Sequence, residues 1–261
     1  MANDESAADH APVFAEPKCR ARHETSHRIP EELSVKILVL NPNSDPEMTE
    51  VIRRSAEAFA GGAFEVECVT NATGPRFIDS YREQLQAGPG TLALIEEHEG
   101  GCDAIVLACG DDPNLDAAKE ATERPVVGIG EASMKLATLL AHRFSVVTTG
   151  PEAIPHHERM AREYGVEPFL ASVRAPREDA GDWHDGHLYR EPSRAAVEED
   201  GAEAIVLSCA GLAPAARRLQ EELGVPVLDG VVSALIVASG LVRAGLAQSK
   251  RGRYRPRPSP P

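Results

Sequence analysis

From residue 35 to about residue 249 the chain alternates between two kinds of segment. Short runs of aliphatic and β-branched residues stand at 35–40 (VKILVL), 64–70 (FEVECVT), 103–108 (DAIVLA), 126–129 (VVGI), 144–149 (FSVVTT), 169–174 (FLASVR), 204–208 (AIVLS) and 225–228 (VPVL). Their length and β-branched content predict strands. The Ala-, Glu- and Arg-rich stretches between most of them predict helices. Strands that alternate with helices make an α/β protein whose parallel sheets are covered on both faces. Residues 1–34 carry no period and read as a disordered leader. Residues 248–261 are rich in Arg and Pro and read as an extended, solvated basic tail.

The pattern also repeats. Ala104-Ile-Val-Leu-Ala-Cys109 returns as Ala204-Ile-Val-Leu-Ser-Cys209, offset by 100 positions. An acidic, Gly-containing turn precedes each copy. A Gly, a Pro, an Ala-rich stretch and a Pro-Val strand follow each. The first strands match more loosely: KILVLNPNS and FSVVTTGPE both end in small polar residues. These matches predict two pseudo-symmetric α/β lobes, 35–142 and 143–247, with a cleft between them.

Composition removes several classes of function. Hydrophobic residues make up 42% and charged residues 26%, the balance of a globular chain. No apolar run approaches the ~18–20 residues of a membrane span, so no membrane partner is expected. The net charge of −14 is uneven: the leader contributes −3 and residues 250–261 contribute +5, which leaves −16 on residues 35–249. A body this acidic repels phosphate backbones, so no nucleic-acid partner is expected either. The amino end lacks the basic start and apolar core of a secretory signal. The five cysteines are odd in number and form no Cys-x-x-Cys pair. Free thiols in a reducing cytoplasm are the expectation.

In an open parallel sheet, ligands bind beyond the carboxyl ends of the strands. Cys109 and Cys209 each end a strand and are followed by a small-residue turn and a predicted helix. The helix-start N–H groups should favour thiolate, lowering the pKa from a free value of about 8.5. Two such thiols facing one molecule suit racemisation without a cofactor: one removes a proton from a carbon and the other returns a proton to the opposite face. The carbanion then needs donors at an adjoining carbonyl. The turns 41–44 (NPNS) and 148–150 (TTG) and the N–H groups after each cysteine are candidates. Asp111 and Asp112 read either as partners of a thiol proton or substrate amide, or as the acidic first turn of a helix. Cys68 and Cys102 read as structural, and Cys19 lies in the leader. No nucleotide motif follows a strand, and neither Lys119 nor Lys135 ends one, so no bound cofactor has an anchor. His156-His157 lacks HExxH spacing; His184 and His187 in a Gly- and Asp-rich loop are a weak metal candidate, and no metal is expected.

Taken together, several motifs resemble the aspartate/glutamate/hydantoin racemase superfamily, in particular its hydantoin and allantoin racemase branch. The carriers are NPNS with Met48-Thr49, Thr73-Gly-Pro75 with Ile78-Asp-Ser-Tyr81, IVLACGDDPNLDAAKE (105–120), PVVGIGEASM (125–134), RFSVVTT (143–149), IVLSCAGL (205–212) and GVPVLDGV (224–231). The ending SKRGRYRPRP is similar to the family's short tail. The resemblance implies two lobes with the site between them, cofactor-independent racemisation by Cys109 and Cys209, and assembly as a homo-oligomer. It places substrate contacts at Asn43, Gly110, Thr148 or Thr149, Ala210 and Gly211, with Asp111 in the turn after the first thiol. It also leaves open a relative that decarboxylates a malonate or isomerises a double bond with one cysteine, and a non-catalytic binding protein. This chain departs from the branch in two places. Cys109-Gly-Asp-Asp-Pro113 stands where Cys-Phe-Gly-Asp-Pro is common, and 175–192 stands where a longer helical segment is expected.

Overall fold

The computed structural model describes residues 35–177 and 186–255. The leader 1–34, residues 178–185 with Trp183 and His184, and residues 256–261 lie outside the described residues. Every predicted strand is present: β1 (Lys36–Asn41), β2 (Glu65–Thr70), β3 (Ala104–Leu107), β4 (Val126–Gly128), β5 (Phe144–Val147), β6 (Leu170–Arg174), β7 (Ala204–Leu207) and β8 (Val227–Leu228). They form two parallel four-stranded sheets, in the orders β2-β1-β3-β4 and β6-β5-β7-β8. The registers agree as well. Ala104 of β3 lies opposite Ile37, and Ala204 of β7 lies opposite Phe144. The loosely matched first strands therefore occupy equivalent places.

Eight α-helices cover these sheets among the described residues: α1 (Pro46–Ala60), α2 (Tyr81–His98), α3 (Leu115–Ala121), α4 (Ile129–Leu140), α5 (Ile154–Glu163), α6 (Arg190–Glu198), α7 (Ala213–Leu223) and α8 (Gly230–Arg243). The period of two decides what each strand residue meets. On β3, Ala104 and Val106 share a core with Ile52 and Ala56 of α1, while Ile105 and Leu107 share another with Ile95 of α2 and Ala118 of α3. The second sheet divides likewise. Val206 meets Met160 of α5, and Ile205 and Leu207 meet Ala196 of α6 and Leu219 of α7.

The two remaining helices are exchanged. Met134 and Ala137 of α4, which follows the first sheet in sequence, pack into the core of the second with Phe144 and Val146. Val231, Ala234, Leu235 and Ala238 of α8, which follows the second sheet, pack into the core of the first with Ile37 and Val39. The helices meet at their starts, where a side chain on Gly230 would come within 3.2 Å of Ile129 Cβ. The exchange fastens the two sheets together through two apolar cores.

A glutamine pairs one edge strand of each sheet, β4 and β8. The Gln248 amide donates to the Val126 carbonyl and accepts from its N–H, each at 2.8 Å. Gln220 accepts from the Val227 N–H on β8 at 3.2 Å. The described part of the tail is thus not wholly solvated. Lys250 Nζ donates to the Lys119 carbonyl at 2.7 Å, and the Tyr254 hydroxyl to Asp116 at 2.7 Å. In the segment 175–192, the described residues 186–189 form a turn and α6 begins at Arg190. No longer helix stands there among the described residues.

Candidate active site

In each sheet the chain runs outward from the first strand to its neighbour and then returns to the first strand's other side. The crevice at such a reversal lies beyond the carboxyl ends of the two central strands. Here those are β1 and β3 in one sheet and β5 and β7 in the other. The four turns that leave them line a single cavity of about 330 Å³. Asn43 comes from the first turn, Cys109, Gly110 and Asp111 from the second, Thr148 and Thr149 from the third, and Cys209 and Ala210 from the fourth. Gly211 stands behind Cys209 and does not line the cavity. Its N–H points at the Cys209 thiol, as does that of Leu212.

Local chemistry fixes each turn. Asn41 is buried, and its amide nitrogen donates to Asn43 Oδ1 at 2.8 Å and Thr49 Oγ1 at 3.0 Å. Asn43 Oδ1 also accepts from the Asp45 N–H at 3.0 Å. That oxygen is fully engaged, so the Asn43 amide nitrogen is the group left to donate into the cavity. Gly110 is required where it is. A Cβ there would run into the Ser208 carbonyl oxygen, and one on Gly130 would run into the Gly110 carbonyl oxygen. The two cysteine turns therefore touch backbone to backbone. Asp112 and Asn114 adopt positive φ, 46° and 59°, a conformation Asp and Asn tolerate better than most residues.

Asp112 serves neither role expected of it. It is not in the first turn of α3, which begins at Leu115, and it does not line the cavity. Its carboxylate accepts from the Gly130 N–H at 3.0 Å, the Glu131 N–H at 2.6 Å and the Tyr164 hydroxyl at 2.6 Å. It caps α4 from 18 residues away and ties the first cysteine turn to the exchanged helix. Burial pushes its carboxyl up to about 7 against these donors.

The thiols depart from expectation in sign. Both cysteines are partly exposed to the cavity they line. Burial nevertheless pushes Cys209 up to about 11, and the Gly211 and Leu212 N–H groups recover only part of the shift. Cys109 is held well above the ordinary thiol range by burial and then by the Asp111 charge, with the Asp111 N–H opposing. The helix-start argument identified the right donors. Desolvation and a neighbouring carboxylate outweigh them.

Sequence reasoning missed several lining groups. Met48, Phe77 and Ile78 supply an apolar wall, while Asp79 and Glu152 add two carboxylates beside Asp111. Ile78 and Asp79 stood within a quoted motif, but nothing local marked them as lining. His156 and His157 of α5 lack a metal-site spacing along the chain, and their partners come from other elements. His157 Nε2 lies 3.1 Å from Thr148 Oγ1 and 3.6 Å from Asp111 Oδ1, and burial lowers its pKa to about 4. Gln84 Nε2 donates to Asp111 Oδ2 at 2.9 Å. No three His, Cys, Asp or Glu side chains group as metal ligands among the described residues. No Lys or Arg lines the cavity among the described residues.

Two partly exposed thiols thus stand at repeat-equivalent strand ends on one cavity, with backbone N–H groups aimed at them. Comparison with known proteins places the chain in a family. The chain is 40% identical over 227 residues to a hydantoin racemase from a Pseudomonas species, covering 85% of this chain and 91% of that one. Its fold matches the solved allantoin racemase of Klebsiella pneumoniae with a TM-score of 0.83 at 38% identity, over 87% of this chain and 95% of that one. Unliganded arylmalonate decarboxylase, at 19% identity and a TM-score of 0.53 over 84% and 97% of the two chains, shares the fold. The family described as Asp/Glu/Hydantoin racemase matches residues 37–238. The chain belongs to the Asp/Glu/Hydantoin racemase family and is an isomerase of the racemase type.

Proposed function

We propose that this racemase acts without a cofactor on a 5-substituted hydantoin, allantoin included, by proton transfer through Cys109 and Cys209. The observation that carries the reading is the placement of the two thiols on one cavity at equivalent strand ends. In the proposed step the thiolate of one cysteine takes the proton from the ring carbon. The C–H electron pair moves onto the adjoining carbonyl oxygen. The other thiol then returns a proton to the opposite face and becomes the thiolate, so that the pair is ready for the other enantiomer. Asn43, the Thr148 and Thr149 turn and the N–H groups of Gly110 and Ala210 are the proposed donors to the ring and its developing oxyanion. A raised thiol pKa suits this chemistry. It makes the thiolate scarce, but it makes each thiolate a stronger base towards a weak carbon acid.

The lining also favours a neutral ring over a dicarboxylate. Aspartate, glutamate and arylmalonate bring two carboxylates, and this cavity meets them with Asp79, Asp111 and Glu152 and, among the described residues, no cationic side chain. A hydantoin ring brings none. The decarboxylase alternative is weakened on the same ground, because its substrate is a malonate. The four described cysteines are all unpaired, in keeping with the cytoplasm as the proposed compartment. Assembly as a homo-oligomer is part of the proposal and is checked by light scattering.

The test is turnover in D₂O. Single-enantiomer hydantoins should lose optical rotation and gain deuterium at the ring carbon. Cys109→Ser and Cys209→Ser should each stop racemisation. Full activity in both variants would remove the two-thiol mechanism. Absence of exchange on every hydantoin and on allantoin would remove the substrate assignment.

A further inference from the structure

The reaction cavity does not end at the thiols. A second cavity of about 250 Å³ continues from it, and the two share Ile78, Asp79, Asp111, Thr149 and Glu152. The thiols line only the first cavity, and Tyr81, Gln84 and His156 line only the second. A molecule whose reacting carbon lies between Cys109 and Cys209 can therefore extend into the second cavity. The junction is the part that any extension must pass.

That junction is acidic, and among the described residues two of its three carboxylates, the solvent-facing Asp79 and Glu152, have no cationic partner. Asp79 comes from the loop before α2, Asp111 from the turn after β3, and Glu152 from the short turn of 3-10 helix before α5. Asp111 accepts from Gln84 and faces His156 and His157 at 3.8 and 3.6 Å. No cationic side chain bonds the carboxylates of Asp79 or Glu152 among the described residues. Arg159 of α5 is engaged elsewhere, over the Tyr81 ring at 4.9 Å, on His156 Nδ1 at 3.1 Å and towards Glu163 at 3.4 Å. Burial raises the Asp79 pKa, and the charges of Glu83, Asp111 and Glu152 raise it further. A group that brought N–H donors or positive charge to the junction would relieve this repulsion. A metal ion is not the fit, since no three of these side chains group as ligands among the described residues. A second carboxylate would add to the repulsion, and an alkyl or aryl group would desolvate the carboxylates without pairing them.

We propose that the second cavity is the subsite for the ring substituent, and that Asp79 and Glu152 make it select a substituent ending in N–H donors, cationic ones best. The inference rests on the hydantoin reading above and adds the class of hydantoin.

The experiment uses the full chain and four hydantoins of similar reach, bearing 3-guanidinopropyl, 3-ureidopropyl, butyl and 2-carboxyethyl groups at the ring carbon. The kcat/KM for racemisation of each is read by polarimetry. The guanidino compound should exceed the butyl compound at least tenfold, the neutral ureido compound should fall between them, and the carboxyethyl compound should be slowest. Asp79→Asn and Glu152→Gln should each shrink the guanidino-to-butyl ratio several-fold, chiefly through KM. Because the ratio is taken within one protein, a general loss of activity cancels. Butyl or carboxyethyl turnover equal to or faster than guanidino turnover in the unaltered protein would overturn the subsite while leaving the racemase reading intact. A ratio unchanged in both variants would remove Asp79 and Glu152 as its cause. No turnover of any hydantoin would bring down the subsite and the underlying reading together.

Discussion

The sharpest consequence of the buried site concerns how slowly its thiols react. With a pKa of about 11, Cys209 is ~0.1% thiolate at pH 8, whereas a free cysteine near 8.5 is roughly a quarter thiolate. That is a deficit of about two hundredfold. A more basic thiolate is also a better nucleophile, and a Brønsted slope of ~0.45 over 2.5 pKa units returns about tenfold. Iodoacetamide should therefore modify Cys209 about twentyfold more slowly than a free thiol at pH 8, before any loss of access. The rate should climb tenfold per pH unit up to about pH 10, where a free thiol has long since levelled. Cys109, held up by burial and by the Asp111 charge, should be slower still.

The charge contribution can be isolated. Asp111→Asn keeps the shape and an acceptor for Gln84 while removing the carboxylate that raises both thiols. A charge at this range shifts a pKa by ~1–2 units, so alkylation of both cysteines at pH 8 should rise about three- to tenfold after the nucleophilicity correction. Timed quenching and peptide mass spectrometry read each cysteine separately, with buried Cys68 and Cys102 as internal references. A plateau near pH 7 would mean that the N–H groups of Gly211 and Leu212 dominate after all. A slower reaction in Asp111→Asn would refute the sign of the charge effect.

Further expectations follow from the same contacts. Gly110→Ala must push the two cysteine turns apart, because its Cβ meets backbone rather than a flexible side chain; it should lose racemisation and cost about 1–3 kcal/mol, read as a fall in melting temperature. His157 is held neutral by burial, so the folded state binds fewer protons than the unfolded state between about pH 4 and 6.5. Stability should fall as pH drops through that window, by about 2.4 kcal/mol more than in His157→Gln, in urea titrations at pH 7 and pH 4.5. Asp229 caps α8 through the Val231 and Val232 N–H groups and accepts from Ser55 of α1 at 2.5 Å; Asp229→Ala should cost about 1–2 kcal/mol and loosen the exchanged helix in hydrogen exchange.

How far the sequence disclosed this arrangement depends on the range of the interactions. Strands such as Ala104–Leu107 and Ala204–Leu207 are legible because the signal is local: four apolar residues bounded by turns, buried on both faces. The thiols and the Asn43 and Thr148 turns are legible for a topological reason, since strand ends at a reversal face the crevice. The exchange of α4 and α8 left only a faint trace. Val231 to Leu241 is apolar almost all round, as a helix wedged between layers must be, but nothing in it names the sheet it covers. Asp79 and Glu152 lie in connecting loops whose only pattern is polarity. Asp112 looks like a helix-start carboxylate and does cap a helix, but one that begins 17 residues later. The thiol pKa values could not be read at all, because desolvation is a property of everything packed around the sulfur.

That last point bears on how a duplicated fold becomes a racemase. The two halves agree in strand order, in register and in the position of the thiol, yet the turns beyond the thiols differ. Asp111 follows Cys109 by two residues, and Gly211 follows Cys209 by two. One thiol thus has a carboxylate beside it and the other has two N–H groups, so in the proposed mechanism the scarce thiolate falls on Cys209 more often than on Cys109. Such asymmetry cannot favour either product. Enantiomers have equal free energy, so the equilibrium constant is one, and kcat/KM must be the same in both directions whatever the thiols prefer. The difference is confined to how kcat/KM divides. Under that proposal, the enantiomer that presents its proton to Cys209 meets the commoner of two scarce thiolate forms, while its mirror image waits for the rarer one. Removing the Asp111 charge should therefore draw the two kcat values and the two KM values together while their ratios stay equal. In the proposed mechanism a symmetric fold supplies the two faces of the reaction, and the residues that break its symmetry set only the populations of the two protonation forms.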